Sequence, residues 1–445
     1  MIEETFPGPT RPWWWQVYTL IRNPSYISKC LQKYGDPFYL MLEPKTPFLI
    51  FTDPTAAREI FTAHYNDVFA GPVSESLRPI LGRESLLLID GDKHLNMRRF
   101  MTPAFTGNAM RVYGSVIRDT TRKNTELWAK DSHVFIQGVM QNISLEVILQ
   151  AVFGLKEGDR FQKYKQVLVD YISVFNGKNA IFLYSSAFQK DLGIFTPWGK
   201  YLKMVKVVDG LIYEEIKLRK KKPNQQDIFS RLLAIRDENG NGLSEKVLRD
   251  QLLTLLLAGH ETTASALAWA FYWIHRDPQI LDTLSCELQP FCNNFDIESI
   301  TKLPYLDAVC RETLRLYPVI PAVGRLLQRP MSIMGHTLPA KTNVVLSIYL
   351  MHHRPDLYPE SHLFRPKRFI EREYNSYEYI PFGGGARRCL GIHFAFYEMK
   401  IVLAYILLHF QLKLRSNKPI SAVRRGVTFL PGGGVPMVIE KKIHQ

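Results

Sequence analysis

Cysteine is scarce in this chain, and the few cysteines are widely separated. The 445 residues include five of them, and no two are spaced as a Cys-x-x-Cys pair. So small a number does not build a disulfide framework, and zinc ribbons need paired thiolates. The sequence therefore predicts a protein of a reducing compartment. The cysteines are Cys30, Cys286, Cys292, Cys310 and Cys389.

The N-terminal segment lacks both a basic start and a long apolar run. Residues 1–4 (MIEE) are acidic where a secretion signal is basic, and no apolar stretch follows them. The run Trp13–Trp15 is too short to span a bilayer, and we expect it to pack in the local core rather than to act as an interfacial anchor. We predict a cytoplasmic protein without a transmembrane anchor.

What the chain has in quantity is apolar and basic side chains. Hydrophobic residues make up 46% and charged residues 22%, which is ordinary for globular proteins and excludes disordered and collagen-like classes. The 56 Lys and Arg residues against 42 Asp and Glu residues give a net charge of +14. This excess favours an acidic partner, which is nucleic acid, anionic lipid or an acidic protein, and it does not distinguish among them.

The hydrophobic pattern predicts a mainly α fold with a small β region (α+β), formed by residues 1–445 as a single domain. Apolar residues recur at three- and four-residue spacing from about residue 92 to 315. Short β-rich runs precede this region at 38–40 and 48–52, and they return near 325–350. A strongly apolar helix is expected from about residue 390 to 412, followed by a β-like tail.

One long helix is predicted from Glu245 to Arg276, just before Pro278, with a length of about 48 Å. Its apolar sequence is interrupted by residues 258–263 (AGHETT). A glycine inside a helix costs about 1 kcal/mol relative to alanine, and buried His and Glu cost more unless they are paired. Such an interruption indicates a functional site, in which Gly259 lets a flat group approach the backbone. The alternative is a polar stripe that packs on a neighbouring helix.

The strongest signal is residues 382–391 (FGGGARRCLG), directly before the apolar helix. Three glycines form a turn that other residues could not follow. Cys389 then lies at a helix N-terminus beside Arg387 and Arg388, and the helix dipole and the cations are expected to lower the pKa of its thiol. A single thiolate is a poor zinc site but suffices as an axial ligand of haem iron. A zinc site with His393 is the alternative, and it lacks further ligands nearby.

This loop resembles the haem-binding signature of the cytochrome P450 family, Phe-Gly-x-Gly-x-(Arg/His)-x-Cys-x-Gly, at every fixed position. Further motifs follow in the family's order. Residues 258–263 resemble its oxygen-activation motif, Glu312-Thr-Leu-Arg315 its Glu-x-x-Arg motif, and residues 364–369 (FRPKRF) its aromatic-Pro-Arg segment. The resemblance extends across nearly the whole chain. It implies a haem-thiolate monooxygenase.

The resemblance also implies which residues hold a haem b cofactor, with Cys389 as the iron ligand. His94 stands where the family usually has tryptophan, and it keeps an N–H donor for a haem propionate. The implied cofactor-binding residues are His94, Arg98, Arg325, Phe382, Arg387, Cys389 and Gly391. A structural cluster of Glu312, Arg315 and Arg368 is implied as well; the first two share a helix face because they are three residues apart.

On the opposite side of the haem, Glu261 and Thr262 are implied to deliver protons to the oxygen being reduced. One oxygen atom then enters an organic substrate and the other becomes water. The implied pocket residues are Ala258, Ile320, Ala322 and Val323. Because all four are apolar, we expect a lipophilic substrate, a fatty acid or a terpenoid. Aromatic side chains are expected to cover the entrance, at Phe175, Phe182, Tyr184 and Phe188.

The chain shows no flavin or ferredoxin module, so the resemblance implies that electrons come from separate proteins. Arg387, Arg388 and Lys400 lie on or after the cysteine loop, and we expect a basic surface there that attracts an acidic ferredoxin or flavodoxin with its reductase. O2 is the other expected partner, and nucleic acid is not expected. Two alternatives remain. One is a haem-thiolate isomerase or dehydratase, members that tend to lose the acid–threonine pair; the other is a non-catalytic haem-binding sensor.

Overall fold

Helices dominate the structure, as the periodicity predicts. The computed structural model describes residues 5–23, 25–105, 108–176, 193–221, 227–236, 240–425 and 428–443. The α-helices are α1 (Trp13–Arg22), α2 (Tyr26–Tyr34), α3 (Pro54–Thr62), α4 (Arg78–Leu81), α5 (Gly91–Met101), α6 (Asn108–Thr125), α7 (Ile136–Phe153), α8 (Asp159–Asn176), α9 (Pro197–Lys221), α10 (Ile228–Ala234), α11 (Glu245–Arg276), α12 (Pro278–Leu288), α13 (Ile297–Ile300), α14 (Pro304–Leu316), α15 (Ile348–His352), α16 (Arg368–Glu371) and α17 (Ile392–His409).

The strands form a small β region, which confirms the predicted fold class. They are β1 (Phe38–Glu43), β2 (Thr46–Phe51), β3 (Val68–Phe69), β4 (His133–Phe135), β5 (Ala322–Leu327), β6 (Met331–Ile333), β7 (His336–Leu338), β8 (Asn343–Ser347), β9 (Phe410–Leu414), β10 (Ala422–Arg425), β11 (Thr428–Pro431) and β12 (Pro436–Lys442). The largest sheet has the order β1-β2-β8-β5-β3, and only β2 and β8 are parallel neighbours in it. A sheet β4-β12-β9 and the hairpins β6–β7 and β10–β11 complete the described strands.

Helix α11 lies at the centre of the helical part and has the predicted bounds. Its N-terminus is capped by Ser244, whose side chain accepts a hydrogen bond from the N–H of Val247 at 3.3 Å. It ends at Arg276, because Asp277 is extended and Pro278 begins α12. Helices α7, α14 and α17 pack against α11 and bury most of it. The long central helix is therefore confirmed.

Helix α17 is the one helix among the described residues that is long and apolar enough to cross a membrane. More than half of it is buried inside the fold, where it packs against α6, α11 and α14. Such contacts are typical of a core helix. It ends earlier than predicted, because the residues from Phe410 onward pair with β12 as strand β9.

The aromatic run at the N-terminus does not pack as predicted. Trp13 and Trp14 begin α1 and are exposed, whereas Trp15 is half-buried and meets Tyr26 of α2 edge-on. The prediction of core packing is therefore wrong for the first two tryptophans. The reason is that Gln16 occupies the inner face of α1 and is fully buried.

Candidate functional site

The cysteine loop is a tight turn held against helix α3. The Cys389 N–H donates to the Phe382 carbonyl at 2.9 Å, which closes the loop. A Cβ atom on Gly384 would clash with the ring of Phe61 in α3, and one on Gly385 would clash with the Phe61 backbone. Gly385 also has a φ of 61°. Glycine is therefore required for the loop to lie this close to α3.

The two ends of the loop join it to α17. The ring centre of Phe382 lies 5.5 Å from that of Phe396 on α17. Gly391 is the residue directly before α17. The cysteine between them thus lies just ahead of a long buried helix, as the sequence predicts.

The Cys389 side chain has accessible surface, although its thiol lies deep among protein atoms. Burial raises the pKa of the Cys389 thiol, while the N–H of Gly391 and the guanidinium groups of Arg98 and Arg388 oppose the rise. The predicted lowering of the pKa is therefore wrong for this structure, because desolvation outweighs the cations. The cations that act on the Cys389 thiol are Arg98 and Arg388, whereas the sequence predicts Arg387 and Arg388.

The zinc alternative finds no support in the described part of the chain. No group of three His, Cys, Asp or Glu side chains there is placed to hold a metal ion. Cys389 and His393 would need two further ligands for a tetrahedral zinc site.

Four of the predicted cofactor-binding residues form one cluster, which we call the His94 cluster: His94 and Arg98 on α5, Arg325 on β5, and Arg387 in the cysteine loop. Burial lowers the pKa of His94 to about 3, and the charges of Arg387, Arg98 and Arg325 contribute. Burial likewise lowers the pKa of Arg325 to about 10, with a contribution from Arg387. Buried positive charges this close together are unfavourable unless anions compensate them.

Arg387 has a carboxylate partner that the sequence did not reveal. Its guanidinium group pairs with Asp90 and donates to the carbonyls of Leu86, at 3.0 Å, and Ile89. Asp90 directly precedes α5 and lies 297 residues from Arg387 in the chain. It matches no motif, so only the folded structure identifies it as part of the site.

The charges of the His94 cluster fit a cofactor that carries two carboxylates. Among the described residues Arg325 has no carboxylate partner; it donates to the Gly324 carbonyl at 2.7 Å and lies 5.9 Å from the ring centre of Phe61. It lines a cavity together with His94 and Arg387. The two propionate groups of a haem would supply the missing negative charge. The residues present therefore fit that cofactor.

One face of α11 is less buried than the rest of the helix at the predicted interruption. Ala258 is exposed, and Leu255, Gly259 and Thr262 are half-buried, although most of the helix is fully buried. Their spacing places them on one side of the helix. The Thr262 hydroxyl donates to the Ala258 carbonyl at 2.5 Å, so two predicted site residues lie together on this face.

Glu261 has an arginine neighbour that the sequence did not reveal. Its Oε1 lies 3.7 Å from Nη1 of Arg425, which belongs to the hairpin β10–β11. The Glu261 carbonyl also accepts a hydrogen bond from the Ser265 hydroxyl at 2.6 Å. The C-terminal hairpin therefore reaches the predicted acid–threonine pair.

Gly259 is explained by packing rather than by a flat ligand. A Cβ atom on it would lie 2.6 Å from Cδ1 of Ile148 on α7. The Ser144 hydroxyl of α7 approaches the Gly259 carbonyl at 3.4 Å. The interruption of the helix thus serves two purposes, since this glycine admits α7 while Ala258 and Thr262 keep accessible surface.

The remaining predicted pocket residues lie in β5 and just before it. Ile320, Ala322 and Val323 are all half-buried. Val323 is close to the cysteine loop, since its Cγ1 lies 3.9 Å from the position of a Cβ on Gly383. The predicted aromatic cover lies outside the described residues: this applies to the side chain of Phe175 and to Phe182, Tyr184 and Phe188.

Glu312, Arg315 and Arg368 form a second buried cluster, which we call the Glu312 cluster. The Glu312 carboxylate accepts hydrogen bonds from Arg315 at 2.7 and 2.8 Å and from Arg368 at 3.0 Å. Other N–H groups of both arginines donate to backbone carbonyls between residues 352 and 363. All three side chains are buried. The cluster ties α14 to the segment that leads to the cysteine loop.

A buried carboxyl group on α17 is a feature that the sequence did not reveal. Glu398 is fully buried, and the Ser144 hydroxyl of α7 is the polar group beside its carboxyl. Burial raises the pKa of Glu398 to about 8, with the Ser144 hydroxyl opposing the rise. Burial lowers the pKa of His260 on α11 to about 4. Both groups are therefore largely uncharged at neutral pH.

Comparisons with known proteins agree with this architecture. The family model described as Cytochrome P450 matches residues 7–434. Cytochrome P450 135B1 of Mycobacterium tuberculosis is 32% identical over 432 residues, which cover 96% of this chain and 90% of that protein. Cytochrome P450 138 of the same organism is 29% identical over 420 residues, which cover 94% and 91%.

A solved structure has the same fold. It is the retinoic acid bound cyanobacterial CYP120A1, with a TM-score of 0.84 and 26% sequence identity, and the match covers 98% of this chain and 99% of that chain. The family model and the mycobacterial relatives extend this likeness from fold to family. The chain therefore belongs to the cytochrome P450 family and is a haem-dependent monooxygenase, an oxidoreductase.

Proposed function

We propose that this P450 hydroxylates a lipophilic small molecule, a fatty acid or a terpenoid, with haem b as its cofactor and a separate protein as electron donor. The observation that carries the proposal is the accessible face of the otherwise buried helix α11, where Ala258 and Thr262 lie beside Glu261. Ile320, Ala322 and Val323, before and in β5, are half-buried and add apolar side chains to the proposed substrate pocket.

Cys389 is the proposed iron ligand, and the His94 cluster is the proposed partner of the propionates. When bound, the haem supplies the redox centre at which O2 is activated. The chain contributes position and charge. The closed loop and its contact with Phe61 hold the thiol, and Arg325, which forms no ion pair among the described residues, attracts the anionic edge of the cofactor.

Thr262 and Glu261 are the proposed route for protons. The Thr262 hydroxyl donates to the Ala258 carbonyl, so its oxygen is left to accept a hydrogen bond from a proton donor. Glu261 lies between this threonine and the partly exposed Arg425. An acid in that position suits the transfer of protons from solvent toward the interior.

The substrate class rests on the apolar lining and on one comparison. Ala258, Ile320, Ala322 and Val323 offer no charge or hydrogen-bonding side chain to a substrate. The similar cyanobacterial structure holds retinoic acid, which is a terpenoid acid. A long apolar molecule is therefore the substrate that this lining suits best.

The electron donor is proposed to be an acidic ferredoxin or flavodoxin. Fewer exposed cations support this proposal than the sequence predicts. Arg387 turns inward to Asp90, and Lys400 pairs with Asp307 at 2.6 Å, so the predicted contribution of both to a basic surface is wrong. Arg388 is exposed. We expect reduction by an acidic ferredoxin to slow with added salt and in Arg388→Glu, as measured by stopped-flow absorbance.

The CO difference spectrum of the reduced protein tests the proposed ligand. Cys389→Ser should abolish the thiolate-type spectrum, whereas the matched control Cys286→Ser, at an exposed cysteine, should retain it. An unchanged spectrum in Cys389→Ser would overturn the assignment.

Substrate titration tests the proposed reaction. Fatty acids and terpenes should perturb the haem spectrum, and product should form only with O2 and an electron donor. Turnover without either would indicate an isomerase or dehydratase instead, and ligand binding without any turnover would indicate a sensor.

A further inference from the structure

Helix α1 carries apolar residues on its outer side as well as on its inner side, where Trp15 and Leu20 pack against the core. Trp13, Trp14, Tyr18 and Ile21 point outward, with exposed fractions of 40%, 58%, 57% and 46%. At about 100° per residue these four occupy one sector of about 140° around the helix axis. A surface helix ordinarily turns such a face toward the core. We call these four residues the α1 face.

The inner side of α1 also holds a polar residue, Gln16. The Gln16 Nε2 donates to the carbonyls of Pro9 and Arg11 at 3.1 and 2.6 Å, and its Oε1 accepts from the Met41 N–H at 3.0 Å. Gln16 is fully buried. Rotation of α1 to bury the tryptophans would break these bonds and leave buried polar groups unpaired. The exposure of the α1 face is therefore built into the fold.

The chain segment that contains α1 is basic. Residues 5–35 contain four cationic side chains and no Asp or Glu, although Glu3 and Glu4 precede them. The four are Arg11, Arg22, Lys29 and Lys33, and all are exposed. The Arg22 guanidinium lies 5.6 Å from the ring centre of Tyr18, so cationic and aromatic groups share one surface.

We propose that the α1 face docks this protein on an anionic lipid surface, with its aromatic rings at headgroup level and Arg22 beside them against acidic headgroups. Trp and Tyr favour the membrane–water interface, because the ring is apolar and its polar edge stays hydrated. Each Lys or Arg near such a surface adds roughly fivefold to the affinity. Docking of this kind is peripheral, and it agrees with the cytoplasmic location that the sequence predicts.

Charge favours lipid over a second copy of the chain as the occupant. In a symmetric dimer through the α1 face, the Arg22 guanidinium groups of both copies would lie close together and repel. Anionic headgroups supply the opposite charge. The proposal does not depend on which substrate is oxidised, so it is tested by binding alone.

Co-sedimentation of the haem-loaded protein with vesicles tests the docking. We expect binding to vesicles of phosphatidylcholine with phosphatidylglycerol, weaker binding at high salt, and little binding to pure phosphatidylcholine. The affinity of the double variant Trp13→Ser/Trp14→Ser for these vesicles should be at least about tenfold lower than that of the parent protein. Tryptophan emission should shift to shorter wavelength when the parent protein binds, because the two rings leave water.

Matched variants separate docking from general surface effects. Leu127→Ser removes an apolar side chain that is 93% exposed outside α1, and it should bind like the parent. Arg22→Glu should weaken binding to the anionic vesicles. Lys130→Glu changes the net charge equally but lies outside α1, and it should weaken binding less. An unaltered haem spectrum shows that each variant is folded.

Two results would overturn the proposal. One is the absence of binding to anionic vesicles, or equal binding by the double tryptophan variant. The other is a dimer in sedimentation velocity that the double variant dissociates, which would assign the α1 face to a second copy.

Discussion

The two buried arginine clusters of this protein differ in how their charge is balanced. In the Glu312 cluster both guanidinium groups bond to one carboxylate, and their other N–H groups reach backbone carbonyls. In the His94 cluster only Arg387 has an ion-pair partner among the described residues, and burial together with the nearby charges lowers the pKa of His94. One cluster is complete without a ligand, and the other is not.

This difference separates structural arginines from binding arginines. A compensated buried cluster stabilises the fold whether or not a cofactor is bound, and the loss of one partner leaves an unpaired charge. An uncompensated cluster disfavours the empty fold and stabilises the loaded one. The two clusters should therefore respond with opposite sign when charge is removed from the protein without cofactor.

Glu312→Gln should have the largest effect. It leaves Arg315 and Arg368 buried without a carboxylate, and the free energy of unfolding should fall by about 3–5 kcal/mol with or without haem. Urea unfolding followed by circular dichroism measures the change. Glu373→Gln, at an exposed position, is the control and should be neutral. A stable, fully loaded Glu312→Gln protein would contradict the structural role.

Glu398→Gln extends the comparison to a buried carboxyl group without a cation. The folded pKa of about 8 lies above the ordinary value of 4.5, so the folded state holds a proton that the unfolded state has lost. Stability should therefore fall as pH rises from about 4.5 to 8. The variant should remove this fall, with a gain on the order of a few kcal/mol at pH above 8 and little change near pH 4.

Melting curves across this pH range measure the effect of Glu398→Gln. Glu440→Gln, on β12 and partly exposed, serves as the control. Parallel pH profiles of the parent and Glu398→Gln would show that the buried carboxyl group has a compensating partner after all.

Arg325→Met tests whether removal of a charge from the His94 cluster raises the free energy of unfolding of the protein without haem. Without haem the variant should be more stable than the parent, by about 1–3 kcal/mol, because a buried cation is removed. With haem it should lose cofactor faster, because a charge-assisted hydrogen bond is lost. Transfer of haem to apomyoglobin measures the second effect, and urea unfolding measures the first. Destabilisation of both forms would place Arg325 with the structural arginines.

Arg425→Gln should have the smallest effect on stability. The pair with Glu261 is long and partly exposed, so the free energy of unfolding should change by less than about 1 kcal/mol. If Arg425 positions Glu261, product formed per NADPH should nevertheless fall. Thr262→Ala should lower the same ratio, because it removes the hydroxyl of the proposed proton route. Unaltered coupling in Arg425→Gln, with reduced coupling in Thr262→Ala, would exclude a positioning role for the arginine.

Local signals predicted much of the fold and the cysteine loop. Ser244 and Pro278 mark the ends of α11, because a cap and a ring without an N–H act within a few residues. The spacing of Glu312 and Arg315 predicts their pairing for the same reason. The three glycines of the loop predicted a turn, although not that Phe61 is the group they accommodate.

Contacts between distant segments could not be predicted in this way. Asp90 and Arg425 join the site only through folding, and neither belongs to a local pattern. The outward face of α1 was missed because Gln16 has partners on other segments, and these decide which side of the helix is buried. Burial of Glu398 likewise depends on what surrounds α17.

The contact of Phe61 with Gly384 and Gly385 sets a rule for recombining this enzyme with its relatives. A chimera that takes its C-terminal half from another P450 joins a foreign cysteine loop to the native α3, and the two surfaces meet without any space for adjustment. The side chain at position 61 and the loop at 384–385 therefore have to be exchanged as a pair. Crossover points between them are acceptable only when both parents share this contact.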